Sequence, residues 1–193
     1  MLLLRSSALA DTQAIAAHIA LLSRPGDVIV LSGEMGAGKT AFAQGFGRAL
    51  GVTEPITSPT YTLVHSYDVP KSGPLGRVTL HHADLYRLDR TAEVADLALD
   101  ELAEFDGIVL IEWGDVVEAT IGDHLVVHLE HEEPEHDGEA DDPHDSAGDA
   151  ADDGAADDGA AGENVRTVEI AGVGPTWAAR WARIMAAVQE YRC

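Results

Sequence analysis

At 193 residues the chain suits one α/β domain with a core large enough to fold alone, and its formal net charge of −22 excludes a nonspecific grip on nucleic acid, so any RNA is expected to be held by another protein. The charge is uneven: residues 130–163 hold 15 acids and no Lys or Arg, and −22 without that −15 leaves an ordinary −7 for the remainder. A single cysteine, Cys193, excludes an internal disulfide and fits a reducing compartment; the leucines of Met1-Leu2-Leu3-Leu4-Arg5 are too few for a signal-peptide core, and no run approaches membrane-spanning length, so a cytoplasmic protein is expected.

Leu2 to Arg5 reads as a short strand, and Asp11 is placed to cap a helix whose apolar face is Ile15, Ile19 and Leu22. His18 lies beside that face as a boundary residue, and nothing local gives Thr12 more than a place in the first turn. Pro25-Gly26-Asp27 is a turn that launches an apolar run, Val28 to Ser32, which breaks into Gly33-Glu34-Met35-Gly36-Ala37-Gly38-Lys39-Thr40. This is the P-loop spacing, a glycine, four residues, then Gly-Lys-Thr. Its glycines let consecutive backbone N–H groups turn toward one centre, and the helix N-terminus that follows adds partial positive charge, so phosphate oxygens are cradled. Lys39 would reach the β and γ phosphates and Thr40 would offer its hydroxyl to Mg²⁺. The chain has only two lysines, Lys39 and Lys71, and the loop opens the helical pattern Phe42, Phe46, Ala49, Leu50 closed by Gly51; both facts weigh against an accidental match.

Thr53 to Thr60 is a loop, denied helix by Pro55 and Pro59. Within it and just beyond, Thr57-Ser58-Pro59-Thr60-Tyr61 could fold over a γ-phosphate and sense it, although loops rich in Ser, Thr and Pro are also common as plain connections. Thr62 to Tyr67 and Arg77 to His82 read as a hairpin joined by the turn residues 70–76. Consecutive His81 and His82 face opposite ways on the second strand, and with no cysteine or matched ligand pair nearby a zinc site is disfavoured. Asp84, just past that strand, could direct a metal or orient a water. Thr91 can cap a short helix through Leu97.

Ile108-Val109-Leu110-Ile111-Glu112-Trp113 is continuous and apolar, as for a strand covered on both faces, and ends in an acid. With a P-loop upstream this has the form of a Walker B element, whose carboxylate reaches Mg²⁺ or polarises the attacking water. Trp113 is expected to pack against a short helix, Asp115 to Ile121. His124 to Glu130 is a further strand, with Leu125, Val127 and Leu129 on one face and solvated His124 and His128 on the other. Residues 132–163, with Asp-Asp-Gly-Ala-Ala twice in succession, lack the apolar content to fold and read as a disordered, solvating insertion in a hairpin completed by Val165 to Ala171. Thr176 would cap a final helix with Trp177, Trp181, Ile184, Met185 and Val188 on its core face, leaving Arg180 and Arg183 on the other side for a partner.

The P-loop, Thr57-Ser58-Pro59-Thr60-Tyr61, His82-Ala83-Asp84-Leu85-Tyr86-Arg87-Leu88 and Ile111-Glu112-Trp113 together resemble the TsaE (YjeE) family of bacterial P-loop ATPases. The likeness covers about residues 1 to 130 and, loosely, the last strand and helix. It implies one P-loop domain over residues 1–193, a three-layer sandwich with a mixed, mainly parallel sheet and an antiparallel hairpin insertion. It also implies an ATPase cycle that supports a TsaD–TsaB complex in forming threonylcarbamoyladenosine on the tRNA adenosine beside the anticodon. By position, Thr40 and Glu112 would hold Mg²⁺ and Lys39 with the amides of Gly33, Glu34, Met35, Gly36, Ala37 and Gly38 would hold the phosphates of ATP. Thr60 would be the switch residue, Asp84 would serve hydrolysis or the metal, and Thr12 would border the base. The acidic insertion departs from the family pattern.

A GTPase is disfavoured, because the only asparagine, Asn164, is followed by Val165-Arg166-Thr167 rather than the Lys-x-Asp of a guanine site. Two alternatives stay open: a small-molecule kinase, for which Arg77, Arg87 and Arg90 are the midchain candidates, and a non-catalytic assembly factor controlled by nucleotide binding alone.

Overall fold

Strand-length apolar runs separated by amphipathic helices must stack as layers to bury both, and the computed structural model, which describes residues 1–59, 61–86, 97–104, 106–114, 118, 120–132 and 165–193, has that form. The elements are β1 (Leu2–Ser6), α1 (Leu9–Leu22), β2 (Val28–Ser32), α2 (Lys39–Leu50), β3 (Val64–Val69), β4 (Val78–Asp84) and α3 (Leu99–Glu104). They continue with β5 (Gly107–Glu112), β6 (His124–His131), β7 (Arg166–Val173), α4 (Pro175–Ala178) and α5 (Trp181–Ala187). One sheet runs β1-β7-β6-β2-β5-β4-β3. Its four central strands, β6, β2, β5 and β4, are mutually parallel, whereas β3 joins β4 and β7 joins both β6 and β1 in antiparallel pairs.

The expected three-layer α/β sandwich with a mixed sheet and a β3–β4 hairpin is therefore the architecture observed, with parallel pairing confined to the centre. Every residue of β2 and β5 is buried, which is what a parallel strand covered on both faces requires. On one face Leu31, Leu110, Leu125 and Ile170 pack under Ile15, Phe42, Phe46 and Trp177 from α1, α2 and α4. On the other, Val28, Val109 and Ile111 pack with Leu99 and Ala103 of α3, a helix the sequence reading did not anticipate. Helices α1 and α2 approach closely at Gly45, where any side chain would press on the backbone of Gln13. Among the described residues no helix is long and apolar enough to cross a membrane.

Several local expectations need correction. Asp11 is not the N-cap of α1; Ala8 is, and Asp11 sits three residues further on, where its carboxylate accepts the Ser7 N–H at 2.9 Å. His124 is not solvated: it is buried, and its Nδ1 is 2.7 Å from the Gly122 carbonyl. The single final helix is two, α4 and α5, with Gly174 at the first N-cap and Pro175 after it, while Thr176 hydrogen-bonds the Asp123 carboxylate through both its N–H and its hydroxyl. Those two bonds, the side-chain one foremost, hold the Asp123 carboxyl below the usual carboxylate range. His18 is a boundary residue as expected, with its ring 3.8 Å from the Glu190 carboxylate. All but the last residue of the expected helix from Thr91 through Leu97, most of the expected 115–121 helix and all but the first residue of the 132–163 insertion lie outside the described residues.

The largest correction concerns Arg180. It does not face a partner but is 2% exposed, donating to Asp27 Oδ2 at 2.6 Å and Oδ1 at 2.7 Å, to the Leu22 carbonyl at 3.0 Å, and lying 3.9 Å over the Trp177 ring. A bidentate buried pair of this kind is costly to break from one side, because the remaining charge stays desolvated without its partner. Arg180→Ala is expected to lower the unfolding free energy by about 3–5 kcal/mol, read from the midpoint of urea denaturation. A loss below about 1 kcal/mol would place the pair in a solvated setting instead.

Candidate nucleotide site

The geometry of the site is set by where β2, β5 and β4 end. In the parallel registers Leu31 pairs with Glu112 and Glu112 with Asp84, so the P-loop and two carboxylates leave the sheet side by side. Ligands of open α/β sheets bind at this carboxyl edge of the strands. Ser32, the last residue of β2, hydrogen-bonds His128 of β6 at 2.9 Å. The chain then turns at Gly33, φ +123°, where a Cβ would overlap the Leu129 carbonyl oxygen of β6. Gly36 and Gly38 also have positive φ, and the cross-strand pair His131 and Arg166 lies against these two glycines.

Helix α2 starts at Lys39 with Gly38 as N-cap in the left-handed region and no side chain capping it. The first-turn amides of such a helix have no intrahelical partner, so they and the helix dipole are open to an anion. Lys39 is largely buried, and its Nζ donates to the carbonyls of Gly33 and Glu34 at 2.8 Å each while standing 3.7 Å over the Trp113 ring. Trp113 itself holds φ +60°, anchored by its N–H to the Leu31 carbonyl at 3.0 Å, and its ring meets Tyr86 at 4.9 Å. Left-handed backbone at a residue other than glycine is a local strain that the surrounding contacts must hold.

Thr40 Oγ1 donates to Glu112 at 3.0 Å to Oε1 and 3.3 Å to Oε2. His82, on β4, places Nε2 2.8 Å from Oε1 of the same carboxylate. Asp84 accepts the Ser58 hydroxyl at 2.5 Å and the Tyr86 N–H at 3.0 Å. These groups open on a cavity of about 490 Å³ lined by Met35, Gly36, Gly38, Lys39, Thr40, Ser58, Asp84, Glu112 and Trp113 among others.

The residues fit a triphosphate and a hard divalent cation. The uncapped helix start, the glycines and Lys39 suit phosphate, and the hydroxyl of Thr40 with the carboxylates of Glu112 and Asp84 suits Mg²⁺, which takes few protein oxygens and completes its shell with water and phosphate. Among the described residues no three His, Cys, Asp or Glu side chains converge as a ready-made metal cage.

The sequence-predicted residues thus fall into three groups. Gly33 through Thr40, Asp84 and Glu112 are brought together, with Glu34 and Met35 exposed at the loop tip and Ala37 buried beneath it. Thr12 is buried on α1, bonded through its hydroxyl to Ser6 Oγ at 2.7 Å, and does not line the cavity. Thr60 lies outside the described residues. Sequence reading missed His82 and Ser58 as partners of the two carboxylates; the signal available for each was membership of a hydroxyl- or histidine-bearing string beside a strand end. The ring of Trp113 packs at the edge of the second core, as does Ile121, and also faces Lys39.

A family model described as "Threonylcarbamoyl adenosine biosynthesis protein TsaE" matches residues 6–140. The chain belongs to the TsaE family. Among proteins named tRNA threonylcarbamoyladenosine biosynthesis protein TsaE, that of Bacillus subtilis is 41% identical over 108 residues, 56% of this chain and 63% of its own length. The one from Nostoc sp. is 47% identical over 94 residues, 47% of this chain and 54% of its own, so both matches span less than two thirds of the relative. The TsaE of Streptomyces coelicolor is 33% identical over 171 residues, covering 88% of this chain and 95% of that protein. The crystal structure of Bacillus subtilis YdiB superposes with a TM-score of 0.66 at 26% identity, covering 96% of this chain and 94% of that one.

The glycine-rich loop of this TsaE-family chain is seated on β6 through Gly33. Gly33→Ala would combine a left-handed backbone position with a clash on the Leu129 backbone, so it is expected to cost about 2–4 kcal/mol of stability in chemical denaturation. Wild-type stability in that variant would mean the loop can move off β6 freely.

Proposed function

We propose that this TsaE-family chain binds ATP with Mg²⁺ and hydrolyses it in support of threonylcarbamoyladenosine formation on tRNA, acting in the cytoplasm as one P-loop domain beside a TsaD–TsaB complex. The observation that carries the reading is the Thr40–Glu112 hydrogen bond at the mouth of an uncapped helix, in a chain whose relatives are named for this biosynthesis. The remaining acidity argues that the tRNA is held by the partner complex, since a surface with few cations releases few counterions from phosphates.

The roles follow from the chemistry of each group. The amides from Gly33 to Thr40 and the Lys39 ammonium bind the β and γ phosphate oxygens; Lys39 exchanges its present carbonyl partners for phosphate. Bound Mg²⁺ would supply neutralisation of charge on those oxygens, held by Thr40 and Glu112. Asp84, whose carboxylate is oriented by the Ser58 hydroxyl and the Tyr86 N–H, serves to orient an attacking water or to join the metal shell. Trp113 and Tyr86 shield the phosphate end from bulk water, which strengthens the electrostatics inside. Thr60 serves as the switch residue, whereas Thr12, buried against Ser6, is given no contact with the nucleotide.

The decisive assay is ATP hydrolysis by the purified protein with Mg²⁺, alone and with the TsaD–TsaB pair. Slow turnover that rises with the pair is expected. Lys39→Ala should weaken ATP binding about 10–100-fold, the worth of a lost charged hydrogen bond, and an unchanged affinity would remove the premise. Glu112→Ala should keep nucleotide and lose both hydrolysis and tRNA modification; preserved modification would leave nucleotide-controlled assembly as the function, and transfer of phosphate to a metabolite would point to a kinase.

A further inference from the structure

On β4 the residues Val78, Leu80, His82 and Asp84 share one face, beside the row Ile108, Leu110 and Glu112 of β5. Val78, Leu80, Ile108 and Leu110 are core, so the face changes from apolar to ionisable in a single step at His82. That ring is 0% exposed. Its Nε2 lies 2.8 Å from Glu112 Oε1, and its Nδ1 is buried without a hydrogen-bond partner among the described residues. A core position with an orphaned nitrogen would be filled at lower cost by leucine or methionine, because a buried polar atom left unpaired is penalised. The arrangement that leaves no orphan N–H carries the ring proton on Nε2, where it is donated to Glu112.

The consequence for Glu112 is an unequal pair of oxygens. Oε1 accepts from His82 at 2.8 Å and from Thr40 at 3.0 Å, whereas Oε2 has only the longer 3.3 Å contact with Thr40. Thr40 is in the first turn of α2 and His82 is two residues before the end of the neighbouring strand β4, so the carboxylate is held from two independent elements. Removing the His82 donor leaves Thr40 as the single restraint among the described residues, and Thr40 is the hydroxyl whose oxygen the cation also requires.

We propose that His82 is the positioning residue for the metal arm of this site: from the neighbouring strand it fixes the Glu112 carboxylate, leaving Oε2 and the Thr40 oxygen available together. The proposal rests on the ATP–Mg²⁺ reading above and assigns His82 no contact with nucleotide. It therefore separates two affinities that a general loss of structure would move together. Outer partners that orient a metal-binding carboxylate or imidazole typically change metal affinity about 10–100-fold.

The test is the binding of a fluorescent ADP analogue to the full chain, first in EDTA and then across a Mg²⁺ titration, for wild type, His82→Leu and His82→Gln. His82→Leu is expected to bind the analogue in EDTA within about twofold of wild type, while its Mg²⁺ midpoint rises about 10-fold or more. His82→Gln, which keeps an N–H donor, should return the midpoint to within about threefold of wild type. An unmoved Mg²⁺ midpoint in folded His82→Leu overturns the proposal, as does an equal loss in EDTA. Should the leucine variant fail to fold, the wild-type protein decides: ¹⁵N-histidine spectra, assigned against His82→Gln, should show the His82 proton on Nε2, and a ring protonated on Nδ1 alone overturns the role. A wild type with no Mg²⁺ response at all defeats the ATP–Mg²⁺ reading itself, and the role of His82 falls with it.

Discussion

The parallel register between β2 and β5 is the constraint on which the site depends. With Leu31 opposite Glu112, the P-loop strand and the strand carrying the acid finish at the same level, and the first turn of α2 comes down beside that end. A slip of one residue would turn Glu112 to the opposite face of the sheet, away from Thr40, because side chains alternate along a strand. The register is selected by burial, and the backbone ladder, from Val109 N–H on the Asp27 carbonyl to Trp113 N–H on that of Leu31, then holds it. Both strands are apolar and enclosed on both faces, so every mismatch would expose or crowd core side chains. The chemistry is thus placed by residues that take no part in it.

What could be read from the sequence and what could not divides along the distance between partners. The phosphate loop was legible because its glycines, Lys39 and Thr40 stand in one short run whose spacing has a local physical reason. The strand ending in Glu112 was legible for the same kind of reason, an unbroken apolar run closed by an acid. Period-two patterning also located the β3–β4 hairpin and the β6–β7 pair within a few residues. The position of Arg180 was not legible, since helical spacing put it opposite Trp177 and Ile184 and nothing nearby disclosed Asp27, 153 residues away. The break after α4 abolished the single helical wheel on which that placement rested.

His82 and Ser58 show a related limit. Strand alternation told that His81 and His82 face opposite ways, but not which of the two meets a carboxylate on the next strand. His81 turned out to be the half-exposed one, bonded to Ser66, with burial holding its imidazole below the ordinary histidine range. Asp11 was misplaced by three residues because an aspartate in the first turn satisfies the dipole and the preceding N–H as well as a true cap does. The expectation for Thr12 came from family resemblance alone, and the structure buries that residue against Ser6, away from the cavity.

The order of strands bears on how the protein comes into being during translation. Strand β7 inserts between β1 and β6, and Arg180 locks the turn that precedes β2, so the N-terminal strand and the start of β2 both wait for segments made late, Arg180 being 153 residues beyond Asp27. A nascent chain stopped after β5 would hold the Gly-Lys-Thr run and its acid, yet lack the β6 backbone that seats Gly33 and the arginine that neutralises Asp27. The glycine-rich loop then gains its full set of supports late, although its residues are made early.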